Sequence, residues 1–196
     1  MATRYGTNGA DRIFGTENAD FLYGYARGRK ADDIGNDVID GGKENDFIDG
    51  AGGNDQLFGG EGDDIVYGGL GADQIDGGKD HDQLFGEAGN DVILGGEGED
   101  RIDGGDGVDN LNGQDGDDVI FGGRGRDTLI GEDGNDFLDG GAGNDVLIGG
   151  KDTDTMIGGA GNDLLTGGEG QDFLTGGLGR DTFIFQGQWD FDTVVD

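Results

Sequence analysis

Seventeen aspartates recur every nine residues: Asp37, Asp46, Asp55, Asp64, Asp73, Asp82, Asp91, Asp100, Asp109, Asp118, Asp127, Asp136, Asp145, Asp154, Asp163, Asp172 and Asp181. Carboxylates held in a regular file repel one another unless cations gather between them. From Asp46 onward a glycine stands five residues before each aspartate, from Gly41 to Gly176. Glycine lets the chain turn sharply and expose its carbonyl oxygens, so each repeat offers one carboxylate and several carbonyls. Oxygen donors alone suit a hard divalent ion with an adaptable coordination sphere. Ca²⁺ fits that description at ~2.3–2.6 Å, whereas Mg²⁺ keeps its waters in a compact octahedron. Zn²⁺ would call for histidine or cysteine, and the chain has one His and no Cys. All seventeen aspartates are therefore candidate Ca²⁺ ligands.

The same composition argues against other chemistries. With neither Ser nor Cys, nucleophilic catalysis by those side chains and a disulfide framework are excluded. His81 is followed by Asp82, at a place filled elsewhere by Asn, Asp, Ala, Glu, Val, Arg, Thr or Gln, and reads as a turn residue. Any two of 44 acidic residues can be paired on paper as a glycosidase dyad, but the strict period already accounts for the aspartates. Glycine spacing does not yield G-x-G-x-x-G, and the Gly-Lys pairs at 42–43, 78–79 and 150–151 precede Glu or Asp rather than Ser or Thr, against nucleotide binding. No enzyme site is expected. A formal charge of −32 repels nucleic acid phosphates and anionic membranes. No stretch approaches the ~20 apolar residues of a spanning helix. The start, Met1-Ala2-Thr3-Arg4-Tyr5-Gly6, lacks the apolar run of a cleavable signal peptide.

Positioning the aspartates requires a repeating element. Two residues after each comes an apolar side chain: Ile39, Ile48, Leu57, Val66, Ile75, Leu84, Ile93, Ile102, Leu111, Ile120, Leu129, Leu138, Leu147, Met156, Leu165, Leu174 and Phe183. The unit is G-G-x-G-x-D-x-U-x, with U apolar. It predicts a six-residue glycine turn followed by a three-residue strand whose U faces inward. Two units make an 18-residue coil, with odd units in one parallel sheet and even units in the other. The expected fold is all-β, a flattened right-handed parallel β-roll of about eight coils, ~40 Å long at ~4.8 Å per strand. An ion between each turn and the next-but-one would give about 15 Ca²⁺, nearly balancing the charge of the chain. Without those ions the roll should not hold together.

Three segments follow: degenerate repeats and an irregular lead-in over 1–32, the roll of about 17 units over 33–185, and the start of a cap or tail over 186–196. Asp11 and Asp20 share the nine-residue phase with each other but not with the later series. Gly24-Tyr25-Ala26-Arg27-Gly28-Arg29-Lys30 reads as a degenerate unit, its cations replacing a missing metal ion. Glycine at position four gives way to Glu44, Asp80 and Asp152, each after a lysine. Glu tolerates positive φ less well than Asp, so the Lys43-Glu44 turn should hold Ca²⁺ least well. Outward positions beside U carry Phe58, Tyr67, Phe85, Phe121, Phe47, Phe137 and Phe173 among others. They read as strand-forming surface groups on a monomer, or else as a surface for self-association, a protein partner or lipid.

The unit, as in Gly140-Gly141-Ala142-Gly143-Asn144-Asp145-Val146-Leu147-Ile148, resembles the calcium-binding nonapeptide of the RTX (repeats-in-toxin), or hemolysin-type calcium-binding, family. The resemblance covers roughly residues 33–185. It implies a parallel β-roll whose position-six aspartates and turn carbonyls hold Ca²⁺. It also implies type I secretion and calcium-triggered folding outside the cell, as a module of a secreted, toxin-related protein. The alternative is an extracellular adhesive or interaction protein that works through the surface of the roll.

Overall fold

A computed structural model of the chain describes residues 1–25, 27, 34–185 and 192–195. Their strands are β1 (Thr3–Thr7), β2 (Arg12–Phe14), β3 (Phe21–Tyr25), β4 (Val38–Lys43), β5 (Phe47–Asp49), β6 (Gln56–Glu61), β7 (Ile65–Leu70), β8 (Gln74–Lys79), β9 (Gln83–Gly89), β10 (Val92–Glu97) and β11 (Arg101–Gly107). They continue with β12 (Asn110–Asp115), β13 (Val119–Gly125), β14 (Thr128–Asp133), β15 (Phe137–Asp139), β16 (Val146–Lys151), β17 (Thr155–Gly161), β18 (Leu164–Gly168), β19 (Phe173–Gly179), β20 (Thr182–Ile184) and β21 (Thr193–Val195). Odd-numbered strands form an 11-stranded parallel sheet and even-numbered strands a 10-stranded one. The chain is thus a β-roll of about ten turns, two more than the periodic units alone predict, because β1–β3 and β21 join the stack.

Strand pairing runs at an 18-residue register: Ile39 lies beside Leu57, Leu57 beside Ile75, and Ile75 beside Ile93. Side chains alternate across each strand, so every U residue points between the sheets. From Ile39 to Leu174 all are buried, Ile13 and Leu22 extend the file, and Phe183 packs against its end. Each strand from β2 to β19 contributes one apolar side chain to this core. It positions the aspartates because each lies two residues before a buried anchor, at the edge where the chain passes from one sheet to the other.

The structure departs from expectation in two places. Most strands are longer than three residues, continuing through the first glycines of the next unit: Gly42 pairs with Gly60, and Gly107 with Gly125. A lone glycine strand is weak, but here each glycine finds its hydrogen-bond partner one coil away. The second departure is at the break in phase. β2 pairs with β4 as Arg12↔Val38, and β3 with β5 as Phe21↔Phe47, both 26 residues apart. The first coils therefore stack in register, with eight additional residues intervening. Of the segment read as a degenerate unit, Ala26, Gly28, Arg29 and Lys30 lie outside the described residues, as does the 186–191 part of the expected cap.

Candidate metal centre

The roll gathers the seventeen aspartates into two columns, one at each edge. Asp46, Asp64, Asp82, Asp100, Asp118, Asp136, Asp154 and Asp172 precede strands of the larger sheet. Asp37, Asp55, Asp73, Asp91, Asp109, Asp127, Asp145, Asp163 and Asp181 precede strands of the smaller one. All but the last are buried. Within a column each aspartate grips the previous coil: the Asp100 N–H donates to Oδ1 of Asp118 (2.8 Å), and the Asp118 N–H to Oδ1 of Asp136 (2.8 Å).

The other carboxylate oxygen decides what the columns can do. From Asp64 to Asp163, twelve consecutive members of the series, Oδ2 is buried without a hydrogen-bond partner. A buried anionic oxygen without a partner costs several kcal/mol, of order 1–3 or more. Its surroundings are specific. A methyl group placed on Gly104 would stand 2.6 Å from Asp109 Oδ2 and 2.9 Å from the carbonyl oxygen of Gly122. On Gly158 it would stand 2.7 Å from Asp163 Oδ2 and 2.7 Å from the Gly176 carbonyl oxygen. The bare side of most first glycines is thus a cradle where the carboxylate of the same unit and a carbonyl from the next coil converge. Two acceptors facing one space need a cation or a proton between them. Among the described residues no three His, Cys, Asp or Glu side chains cluster; what the cradles present is carboxylate and backbone carbonyl oxygen, the kind of donor Ca²⁺ prefers.

Electrostatics point the same way. Burial pushes Asp82, Asp118 and Asp154 up to about 8, against a partial opposing effect of the N–H each accepts and with a further upward push from neighbouring carboxylates of the column. Asp64 and Asp109 rise to about 7, and Asp73, Asp91 and Asp145 to about 6, burial again being the main cause. At neutral pH the metal-free columns are caught between holding protons and repelling each other.

The family model of the RTX calcium-binding nonapeptide repeat matches residues 5–26 and, in overlapping windows, 32–183. The chain belongs to that family. No curated protein matches it. This RTX chain is therefore a calcium-binding repeat module. Its columns also extend beyond the strict series. Asp20 is buried and its N–H donates to Oδ1 of Asp46 (2.5 Å), while Oδ1 of Asp192 accepts from the Asp172 N–H (3.3 Å). The pattern D-x-U-x announces both, in Asp20-Phe21-Leu22 and Asp192-Thr193-Val194. Their steps along the columns are 26 and 20 residues, so a search at fixed period passes over them. Asp11 differs, because its Oδ2 accepts from the Thr7 hydroxyl (2.8 Å) and the Thr7 N–H (2.5 Å).

Three further sequence signals find a structural place in this RTX roll. Glu44, Asp80 and Asp152 do take the left-handed conformation, at φ 63°, 77° and 68°. His81 is a turn residue whose Nδ1 accepts the Glu99 N–H (2.8 Å), as Asn54 and Asn90 accept those of Ala72 and Val108. The outward aromatics stack on one another: Tyr5 on Tyr23 at 4.9 Å, Phe47 beside Tyr67 at 5.7 Å, and Tyr67 on Phe85 at 4.8 Å. Cross-strand ring pairs of this kind stabilise a sheet, and here they lie on the larger one.

Proposed function

We propose that the chain is a calcium-responsive folding module of a secreted protein, disordered where Ca²⁺ is scarce and a rigid roll where it is millimolar. The observation that carries this reading is the run of buried, unpartnered Oδ2 atoms from Asp64 to Asp163, all but that of Asp118 beside a first glycine that a carbonyl of the next coil also approaches. When bound, Ca²⁺ supplies the positive charge and open oxygen coordination that the cradles lack. The seventeen periodic aspartates provide the carboxylates, and position-one glycines such as Gly122 and Gly176 the carbonyls. An ion between successive coils at each edge gives about 15 in all. Affinity per site is expected at ~10⁻⁴–10⁻³ M, as in other extracellular modules, and nearest-neighbour stacking makes the transition cooperative. Such a chain crosses a type I export channel unfolded and folds outside. The module is structural rather than catalytic. Far-UV circular dichroism during Ca²⁺ titration tests this: β-structure should appear steeply with Ca²⁺ and vanish with chelator. A chain equally β-structured in chelator, or one indifferent to Ca²⁺, overturns it.

A further inference from the structure

The two edges of the roll carry different chemistry. Eight turns, from Gly41–Asn45 to Gly167–Gln171, feed the larger sheet and hold twelve acids against three lysines, a net charge of −9 over the first five positions of each unit. The opposite eight, from Gly50–Asn54 to Gly176–Arg180, hold Glu87 and Asp106 against Arg124, Arg126 and Arg180, a net charge of +1. That second edge is also laddered. Pairing of the larger sheet continues around it as Ala88↔Asp106 and Asp106↔Arg124, and bridges join Arg124 to Ala142 and Ala142 to Ala160. Leu70 and Leu178 stand out from it at 67% and 76% exposure.

Position three of these turns reads Gly52, Leu70, Ala88, Asp106, then Arg124, Ala142, Ala160, Leu178. The order is complementary to its own reverse. A two-fold axis between the rungs of Asp106 and Arg124 would set Asp106 of one copy against Arg124 of the other, Ala88 against Ala142, Leu70 against Ala160 and Gly52 against Leu178. Acid meets base at the centre, alanine meets alanine beside it, and each leucine meets a small residue beyond. Within one chain Asp106 and Arg124 form an ion pair at 3.5 Å, with side chains 64% and 80% exposed, so both charges are available to a second copy.

We propose that this low-charge edge is a self-association surface, through which two folded rolls pair antiparallel about that axis. Four charges then alternate at its centre, and an isologous contact of this kind closes at two copies. Seven steps of ~4.8 Å by a width of ~10 Å give ~340 Å² a copy, or ~680 Å² in total, under the about 1,200 Å² total of a durable interface. The dimer is therefore weak, with Kd in the range of ~10⁻⁵–10⁻³ M. The proposal rests on the calcium reading only in needing a folded roll.

Sedimentation equilibrium of the full chain in millimolar Ca²⁺, from about 10 to about 500 µM, tests it, with circular dichroism of the same samples reporting the fold. A reversible monomer–dimer equilibrium is expected. Asp106→Arg and Arg124→Asp should each weaken it by at least about tenfold, and the double exchange should restore it. A β-structured chain that stays monomeric throughout, a dimer unaffected by either single change, or open-ended growth from acidic edge to basic edge would each overturn the proposal while leaving the calcium reading intact. A chain that acquires no β-structure in Ca²⁺ would overturn both.

Discussion

The cradle beside each first glycine makes Gly104→Ala a sharp probe. The backbone of Gly104, unlike that of Gly105 at φ 97°, lies outside the left-handed region, so alanine meets no conformational penalty there. Its methyl would however stand 2.6 Å from Asp109 Oδ2 and 2.9 Å from the Gly122 oxygen. Ordinary contacts lie at about 3.5–4.0 Å, leaving overlaps of roughly 0.9 and 0.6 Å that the coils must open to relieve. Overpacking of this order costs about 1–3 kcal/mol, and the methyl fills the space an ion would share with those oxygens. Spread over ~15 cooperatively bound ions at RT ≈ 0.59 kcal/mol, that cost moves the Ca²⁺ midpoint by only about 1.1- to 1.4-fold. Stoichiometry is the more sensitive readout. Calorimetric titration should find one ion fewer per chain, with a shallower transition. Gly9→Ala is the matched control, since nothing lies within 4 Å of a methyl there. If Gly104→Ala binds the full complement with unchanged steepness, or Gly9→Ala does equal damage, the cradle is not where the ion sits.

Protons should partly substitute for calcium. Asp82, Asp118 and Asp154 stand near 8 in the folded, metal-free columns against an ordinary 3.8, so the roll binds protons more tightly than the unfolded chain. That stabilisation is complete below the ordinary carboxylate range and is lost as pH rises through 6–8. In chelator, circular dichroism should show β-structure increasing from pH 8 to about 5, and a loss of structure on acidification would contradict the burial argument. Asp118→Asn keeps an acceptor for the Asp100 N–H (2.8 Å) and removes the charge. It should lower the ion count and raise the Ca²⁺ midpoint in calorimetry, while the metal-free chain tolerates it better than wild type does its carboxylate. Glu44 sits at φ 63°, so Glu44→Gly should relieve about 1 kcal/mol of strain and, if the Lys43-Glu44 turn is the last to load, tighten binding of the last ion.

Much of this was legible in the sequence because the controlling interactions repeat with it. An aspartate two residues before a buried apolar side chain fixes both its own edge and the sheet that follows, so the columns and the core follow from the period. The features that escaped it depend on partners a coil away. Glycines at 42 and 60 become strand because each supplies the other with a backbone partner, which no local propensity announces. Asp20 and Asp192 rejoin their columns only after steps of 26 and 20 residues, where Leu22 pairs beside Ile48 and the exposed Val194 beside Leu174.

The 18-residue register constrains how such a chain can change length. Removing or adding a single nonapeptide would leave the core file and the aspartate spacing intact, since every unit presents the same anchor and ligand. All later turns, however, would exchange sides, scattering the lysines and acids of one margin among the arginines and alanines of the other. Only paired gains and losses keep the two margins distinct, so a lineage that grew by even numbers of units would betray selection on the outside of the rod rather than on its interior.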